Sequence, residues 1–231
     1  MRVNGVIVAA GVGKRTGKDT PKPFLPLAGR PMILHTLSRF ASCEKVRKVV
    51  LVTAESEVFR CQGLIRSDNR FRSFQCVVKP GGSRRQDSVW RGLECLDTDC
   101  EVVVIHDGAR PFVSSGLIDQ CVEKAFTEGA VVVGMPVRDT IKMVAAGQRV
   151  RETPPRESLW EIQTPQVFRV ELIREAYLRA AREGIEATDD AMLVERLGAT
   201  VSVLEGERTN IKITFLEDFL FGEALLSDGR I

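Results

Sequence analysis

The sequence lacks any apolar run near the roughly 18 residues that a membrane-spanning helix needs. It also lacks a basic leader with a small-residue cleavage site, so we expect no secretion or transit peptide. The net charge is only +2 and aromatic residues make up 6% of the chain, so neither a basic surface nor a stacking platform for nucleic acid is predicted. These absences predict a cytoplasmic protein that binds neither membranes nor nucleic acids.

Cysteine and histidine are too scattered for a zinc site. The two histidines, His35 and His106, are far apart, and the cysteines contain no C-x-x-C pair. The six cysteines are Cys43, Cys61, Cys76, Cys95, Cys100 and Cys121. Several lie on apolar stretches, which is typical of small buried thiols in a reducing cytosol.

Short apolar runs alternate with segments of helical period along most of the 231 residues. The runs are Val6–Ala10, Val49–Val52, Cys76–Val78, Val102–Ile105, Val131–Val133 and Val201–Leu204. Their Val and Ile content is typical of strands buried on both faces. The alternation predicts an α/β fold of three layers, with a mostly parallel twisted sheet between two layers of helices. The length and the 44% hydrophobic content predict one domain over residues 1–231.

Two helix starts are marked by capping residues. Ser114 and Ser115 precede an apolar stripe of helical period that begins at Leu117, so they are cap candidates. Thr214 followed by Glu217 predicts a capping box that opens the last helix.

One segment, residues 138–164, interrupts the alternation. It is charged and contains two short strand-like pieces, Ile141–Val144 and Arg149–Arg151, joined by a turn. An isolated two-stranded hairpin is only marginally stable in water. We therefore expect this hairpin to project from the sheet as an arm that packs on a second copy of the chain. The alternative is a long mobile loop.

The first loop, residues 9–18, follows the first predicted strand and contains three glycines and three cationic side chains. Glycine lets backbone N–H groups approach an anion closely and cations attract phosphate, so the loop suits a polyphosphate. It is not a P-loop, because Gly13 and Gly17 are four residues apart and Asp19 follows Lys18. An ordinary strand-to-helix turn is the alternative.

Two charged residues, Lys22 and Asp107, are candidates for a phosphate site. Pro21 and Pro23 flank Lys22 and hold it on a stiff backbone, although a solvated surface lysine is the alternative. Asp107 ends the fourth apolar run, where a carboxylate is placed to hold Mg²⁺ against phosphate oxygens; capping of the next turn is the alternative. For His106 we expect a structural hydrogen bond.

Two further segments combine polar groups with tight backbone. Gly81–Ser88 lies between a predicted strand and a predicted helix, where exposed N–H groups and Ser88 are placed to read the edge of a base. Lys212 is predicted on a strand between apolar neighbours, where burial of its charge requires an anion. Snorkelling of the lysine to solvent is the alternative.

Taken together and in order, these motifs resemble those of the 2-C-methyl-D-erythritol 4-phosphate cytidylyltransferase family. The first motif alone is shared by many sugar nucleotidyltransferases, whereas the full set extends over nearly the whole chain. The matching segments are Ala9–Lys22, Gly81–Val89, His106–Pro111, Pro136–Lys142, Gln163–Gln166, Thr188–Ala191 and Asn210–Thr214. The sequence departs from the family at Val8, where proline is common, and at Ser83, which replaces an acidic residue found in some members.

The resemblance implies a Rossmann-like nucleotidyltransferase fold and an enzyme that requires Mg²⁺. Its reaction would transfer CMP from CTP to 2-C-methyl-D-erythritol 4-phosphate and release pyrophosphate, a step of non-mevalonate isoprenoid precursor synthesis. In such a reaction the protein mainly positions two anions and offsets the charge that builds up between them.

The resemblance also implies a role for individual residues. Arg15, Lys22 and Lys212 would be the catalytic cations around the triphosphate and the transition state. Asp107 would hold Mg²⁺ and polyol hydroxyls. The other implied substrate-binding residues are Ala9, Ala10, Gly11, Gly13, Gly82, Ser88, Arg110, Thr140, Arg156, Thr164 and Thr188. Two of these, Thr140 and Arg156, lie on the arm and would reach the polyol phosphate in the neighbouring subunit of a homodimer.

Two other functions remain open at this point. A ribitol 5-phosphate cytidylyltransferase would share the glycine loop, the lysine and the arm. A non-catalytic nucleotide-sensing module of the same fold would be expected to lose Lys22, Asp107 or Lys212, and all three are present.

Overall fold

Strands and helices alternate in the computed structural model, which describes residues 1–11 and 20–229. In chain order the strands are β1 (Val3–Ala9), β2 (Pro26–Leu27), β3 (Arg30–Pro31), β4 (Val46–Thr53), β5 (Gln75–Pro80), β6 (Val102–Asp107), β7 (Ala130–Pro136), β8 (Met143–Ala145), β9 (Arg149–Glu152), β10 (Trp160–Arg169) and β11 (Ser202–Glu205). The helices are α1 (Met32–Ala41), α2 (Val58–Ser67), α3 (Arg85–Leu93), α4 (Ser115–Glu128), α5 (Val170–Glu183), α6 (Asp190–Glu195) and α7 (Leu216–Ser227).

The central sheet has the order β11-β7-β10-β6-β1-β4-β5. Neighbouring strands are parallel except for β10, which runs antiparallel to both β6 and β7. The chain builds β1, β4 and β5 outward and then returns to place β6 on the other side of β1. This reversal between β1 and β6 is the point at which ligands bind in open α/β sheets. The predicted α/β fold with a mostly parallel sheet is confirmed.

The sheet is buried on both faces because a layer of helices covers each one. One layer consists of α1, α2 and α4, and its apolar side chains pack with Ile7, Leu51 and Val104 of the sheet. The other consists of α3, α5 and α6, and it packs with Val6 and Ile105. All six residues of β6 are buried, which explains why this strand is an uninterrupted apolar run in the sequence until its last two residues.

A smaller apolar cluster anchors α7 beside the sheet. Phe219 of α7 packs with Leu27, Met32 and Phe112, and with Ile213 from the segment that precedes the helix. Ile213 is fully buried, and its N–H donates to the carbonyl of Ala109 at 2.8 Å. The segment before α7 is therefore fixed against the chain that follows β6.

The predicted hairpin is present as β8 and β9, which pair antiparallel. The chain leaves the sheet after β7 and returns to it at Trp160, which pairs with Pro136. Residues 160–164 thus belong to β10 in the central sheet, and only the part before them projects. Every residue from Arg138 to Thr153 is exposed in the isolated chain, so the hairpin makes little contact with its own subunit.

Two local expectations differ from the structure. The carboxylate that caps α7 belongs to Asp218, which accepts from the N–H groups of Thr214 and Phe215 at 2.6 and 2.8 Å, so the expected Thr214–Glu217 box was wrong by one residue. Lys212 lies outside the strands, because the N–H groups of its neighbours Ile211 and Ile213 donate to loop carbonyls instead of to a strand. At Ser114 the prediction is confirmed, since its hydroxyl caps α4 by accepting from Leu117 N–H at 3.0 Å.

No helix within residues 1–11 and 20–229 is long and apolar enough to cross a membrane.

The contact between α3 and the sheet depends on a glycine. A Cβ atom at Gly92 would lie 2.4 Å from Cγ1 of Val6, so we expect Gly92→Ala to lower the free energy of unfolding by about 1–3 kcal/mol, as overpacking does. Urea unfolding monitored by circular dichroism measures this. The matched control is Gly116→Ala in α4, where a Cβ meets nothing within 4 Å. Equal stability of the two variants would contradict the prediction.

Candidate functional site

A cleft of about 450 Å³ opens where β1 and β6 end, at the point where the strand order reverses. Its lining includes Ala9 at the end of β1, Ala10 and Gly11 just after it, and Asp107 at the end of β6. The described residues along the cleft include four cationic side chains and one carboxylate. The cations are Lys22, Arg84, Arg85 and Lys212. This excess of positive charge suits a polyanionic ligand.

Asp107 is held between two cations. Arg85 Nε donates to its Oδ1 at 3.1 Å and Lys212 Nζ donates to its Oδ2 at 2.6 Å. Burial by itself raises the pKa of this carboxyl, but Arg85 and Lys212 outweigh burial and hold the pKa well below its usual range. Asp107 is therefore an anion fixed at the floor of the cleft.

Lys22 and Lys212 reach the same cleft although 190 residues separate them in the sequence. Lys22 begins a short 3-10 helix, Lys22–Phe24, whose second residue is Pro23, and its Nζ donates to the carbonyl of Ile213 at 2.8 Å. Lys212 immediately precedes Ile213, so the segment that carries Lys212 also accepts the hydrogen bond from Lys22. The side chain of Lys212 is 43% exposed. The expectation that it is buried was therefore wrong, and its ammonium still meets an anion, Asp107.

His106 and Thr164 fix the backbone under Asp107. The carbonyl of Arg110 lies 3.0 Å from His106 Nε2 and can only accept, so Nε2 carries the proton. Nδ1 then accepts from the Thr164 hydroxyl at 3.0 Å, and that hydroxyl accepts from the N–H of Asp107 at 3.0 Å. The expected structural hydrogen bond of His106 is confirmed. The Thr164 hydroxyl is already committed to two partners, so its contribution to the site is to support Asp107.

A second cavity of about 350 Å³ adjoins the first and shares Arg85, Asp107 and Lys212 with it. Its other walls come from β10 and from the chain before α6, including Thr164 and Thr188. Arg110 also lines it; Nη1 donates to the carbonyl of Asn210 at 2.7 Å, whereas Nε is buried with no hydrogen-bond partner among the residues that the structure describes. The predicted residues Arg110, Thr164 and Thr188 are thus together in this cavity.

The loop after β5 forms a tight wall of the first cleft. Ser88 is buried; its hydroxyl accepts from Gly82 N–H at 3.1 Å and donates to the carbonyl of Arg84 at 3.0 Å. A Cβ atom at Gly81 would lie 2.5 Å from that of Ala10, so the two loops leave room only for glycine there. Ser88 therefore shapes the loop, and it lines the cleft together with Gly82.

Some predicted residues lie away from this constellation. Thr140 and Arg156 are on the arm, exposed and outside both cavities, and Arg156 donates to the carbonyl of Arg138 at 2.8 Å. Gly13 and Arg15 fall outside the described residues, so their predicted roles stay predictions.

Sequence reasoning missed Arg85 as a site residue. Arg85 begins α3, and its guanidinium bridges Asp107 at the end of β6 and Asp190 at the start of α6. The available signal was the match of Gly81–Val89 to a family motif, which contains Arg85 but does not reveal its partners. Those partners lie 22 and 105 residues away in the chain.

Asp107 alone offers too few ligands for a divalent metal, so a bound substrate would have to supply the others. Among the residues that the structure describes, no group of three or more His, Cys, Asp or Glu side chains is arranged to hold a metal ion. Mg²⁺ is commonly held by one or two carboxylates together with substrate phosphates and water. A single carboxylate beside a cationic cleft therefore suits a Mg²⁺ ion that arrives with a polyphosphate.

Comparison with known proteins identifies one family. The family described as IspD, 2-C-methyl-D-erythritol 4-phosphate cytidylyltransferase, matches residues 3–228. A protein of that name from Alkaliphilus metalliredigens (strain QYMF) is 44% identical over 229 residues, which cover 99% of this chain and 95% of the relative. Another from Geotalea uraniireducens (strain Rf4) is 46% identical over 228 residues, covering 98% of this chain and 97% of the relative.

Solved structures of similar proteins share the fold. The 4-diphosphocytidyl-2C-methyl-D-erythritol synthase of Anaerococcus prevotii DSM 20548 superposes with a TM-score of 0.87 at 29% identity, over 98% of this chain and 96% of that one. The 2-C-methyl-D-erythritol 4-phosphate cytidylyltransferase of Thermus thermophilus gives a TM-score of 0.79 at 37% identity, over 98% and 100% of the two chains.

The protonation of His106 tests the packing beneath Asp107. Burial lowers the pKa of His106 from 6.5 to about 4, and the bond to the Arg110 carbonyl offsets burial only in part. NMR should show a neutral ring in the folded protein at about pH 6. Because the unfolded chain takes up this proton near pH 6.5, the ring's contribution to stability is complete above that pH and is lost as the pH falls toward 4. His106→Asn assigns the signal, and titration of the folded ring near 6.5 would contradict the prediction.

Proposed function

This chain belongs to the 2-C-methyl-D-erythritol 4-phosphate cytidylyltransferase family and is a nucleotidyltransferase of isoprenoid biosynthesis, and we propose that its two adjoining cavities bind CTP and 2-C-methyl-D-erythritol 4-phosphate. The observation that carries this proposal is that the cavities meet at Asp107, Arg85 and Lys212. Two anions that are to be joined need such shared positive charge between them.

The proposed reaction is an in-line displacement at the α-phosphorus of CTP. A phosphate oxygen of the polyol phosphate forms the new bond to that phosphorus, and the bond to the bridging oxygen of the β-phosphate breaks, so pyrophosphate leaves with the electron pair. The protein contributes position and charge, because no group of the chain needs to form a covalent intermediate. Lys22 and Lys212, whose ammonium groups face the first cleft, would stabilise the charge on the oxygens around the phosphorus.

Each cavity suits one of the two anions. The first cleft runs from Ala10 and Gly82 to the cations, so we place the cytidine against this backbone and the triphosphate toward Lys22. The second cavity has Arg110 and Lys212 for a phosphate and Asp107 for hydroxyl groups. Asp107 would also hold Mg²⁺, which when bound neutralises phosphate charge.

The arm completes the proposal. Its hairpin leaves Met143, Val144 and Val150 exposed, with Val144 and Val150 each more than half exposed. Such apolar surface on a two-stranded hairpin needs a partner, and we propose a second copy of the chain, in whose site Thr140 and Arg156 would bind the polyol phosphate. Six free thiols support the proposed cytoplasmic location.

Pyrophosphate release tests the function directly. With CTP, Mg²⁺ and 2-C-methyl-D-erythritol 4-phosphate we expect turnover that EDTA abolishes, and little turnover with the purine nucleotides ATP and GTP, because the tight wall at Gly81 and Ala10 favours a small base. Ribitol 5-phosphate at equal concentration is the competing substrate. Faster turnover of ribitol 5-phosphate would overturn the assignment of the polyol.

Lys22 should act mainly in the transition state. We expect Lys22→Ala to lower kcat by about 10²-fold or more, with little change in CTP affinity measured by calorimetry, because the variant loses a charge contact to the reacting phosphate. The matched control is Lys124→Ala, which removes a surface lysine paired with Glu128 on α4. Near-normal turnover of Lys22→Ala would remove this residue from the catalytic set.

Subunit mixing tests the arm. Arg156→Ala should raise the KM for the polyol phosphate and leave CTP binding unchanged. The assay uses a polyol phosphate concentration too low for Arg156→Ala alone to turn over. If the arm serves the partner's site, refolding equal amounts of Lys22→Ala and Arg156→Ala together should then restore about a quarter of wild-type activity, because half of the dimers are mixed and each has one intact site. The control pairs Lys22→Ala with Asp107→Asn, which damage the same site and should restore nothing. If the activity of each mixture equals the mean of its two single variants, the arm does not contribute to the partner subunit's site.

A further inference from the structure

A buried polar chain leads from α5 to the floor of the cleft. The Tyr177 hydroxyl donates to Asp190 Oδ1 at 2.5 Å, and Arg85 Nη2 donates to Asp190 Oδ2 at 2.8 Å. The other side of the same guanidinium donates from Nε to Asp107 Oδ1 at 3.1 Å. Tyr177 and Asp190 are 4% and 1% exposed, so both lie in the interior behind the site.

The position of Asp190 is fixed independently of Arg85. The N–H groups of Asp190 and Ala191 both donate to Gln166 Oε1 at 3.1 Å, which ties the start of α6 to β10. Gln166 Nε2 donates to Asp189 Oδ2 at 2.7 Å, and Asp189 Oδ1 caps the helix by accepting from Met192 N–H. Asp190 is therefore a rigid anchor from which Arg85 reaches forward to Asp107.

The two cations on Asp107 differ in their freedom to move. Lys212 is 43% exposed, and under the proposed function its ammonium turns to phosphate when substrate binds. Arg85 has a second carboxylate behind it and no comparable freedom. Once Lys212 leaves, Arg85 is the cation that keeps the buried carboxylate paired and correctly oriented.

We propose that Arg85, Asp190 and Tyr177 are positioning residues: they hold the Asp107 carboxylate from behind through Oδ1, while Oδ2, once Lys212 has turned to phosphate, faces the Mg²⁺–nucleotide complex. This inference rests on the proposed function for the identity of the ligand. If these residues are only structural, substituting them should lower stability and change nothing else. If they position Asp107, substituting them should reduce the factor by which Mg²⁺ strengthens nucleotide binding.

Two variants separate these roles. Tyr177→Phe removes one oxygen atom and leaves the ring, and Arg85→Lys keeps the charge but cannot contact both carboxylates. The matched control is Trp90→Phe, which alters the ring that stacks on Tyr177 at 5.9 Å without touching the polar chain. Should Arg85→Lys fail to fold, Tyr177→Phe decides the question.

The main readout is CTP binding by calorimetry, with Mg²⁺ and with EDTA, in the absence of the polyol phosphate so that no turnover occurs. We expect the ratio of the two affinities to fall about threefold in Tyr177→Phe and about tenfold in Arg85→Lys. The affinity in EDTA should be unchanged in Tyr177→Phe, which does not line the cleft, and the ratio should be unchanged in Trp90→Phe. Thermal unfolding and kcat are measured on the same samples, and kcat should fall with the ratio.

The outcomes are distinguishable. Lower melting temperatures with an unchanged Mg²⁺ ratio would overturn the positioning role and leave a structural one. Wild-type protein that binds CTP more tightly with Mg²⁺ but transfers no CMP would overturn the proposed function, and the ratio in the variants would still test the positioning residues.

Discussion

Burial of one carboxylate at the end of a central strand constrains the rest of the site. A buried charge is costly unless it is paired and hydrogen-bonded, and Asp107 is 8% exposed. The carboxylate is paired with Arg85 at the start of α3 and with Lys212 in the segment before α7, and the backbone N–H of Asp107 donates to the hydroxyl of Thr164 in β10. The site is thus assembled by the pairing of charge across the sheet edge, more than by any one loop.

The position of this charge follows from the topology. The strand order reverses between β1 and β6, so the loops after these strands diverge and leave a cleft between them. The insertion of β10 between β6 and β7 closes the other side of the site, and its register shift between Gln163 and Gln166 turns Thr164 toward Asp107. The antiparallel strand is therefore part of the site as well as of the sheet.

Much of the fold and part of the site followed from the sequence. Continuous Val and Ile runs predicted the buried strands, and Asp107 was predicted because a polar residue ended such a run. The predicted cap at Glu217 is one residue from the observed cap at Asp218, because spacing fixes a cap only to within a residue. Arg85, Asp190 and Tyr177 were not predicted, since a charged side chain on an amphipathic helix looks the same whether it faces solvent or a partner 105 residues away. Such pairings depend on which helix covers which face of the sheet.

Under the proposed function, one ammonium group couples the two cavities. In this structure Lys212 neutralises Asp107, and both residues line both cavities. A triphosphate in the first cleft competes with Asp107 for Lys212, because each phosphate oxygen offers the same charge-assisted hydrogen bond. When the ammonium turns to phosphate, Oδ2 of Asp107 becomes free to accept from a hydroxyl or to hold a metal, while Arg85 keeps Oδ1. Because Lys212 and Asp107 line both cavities, a phosphate that binds in either cavity changes the hydrogen bonding of Asp107 in the other.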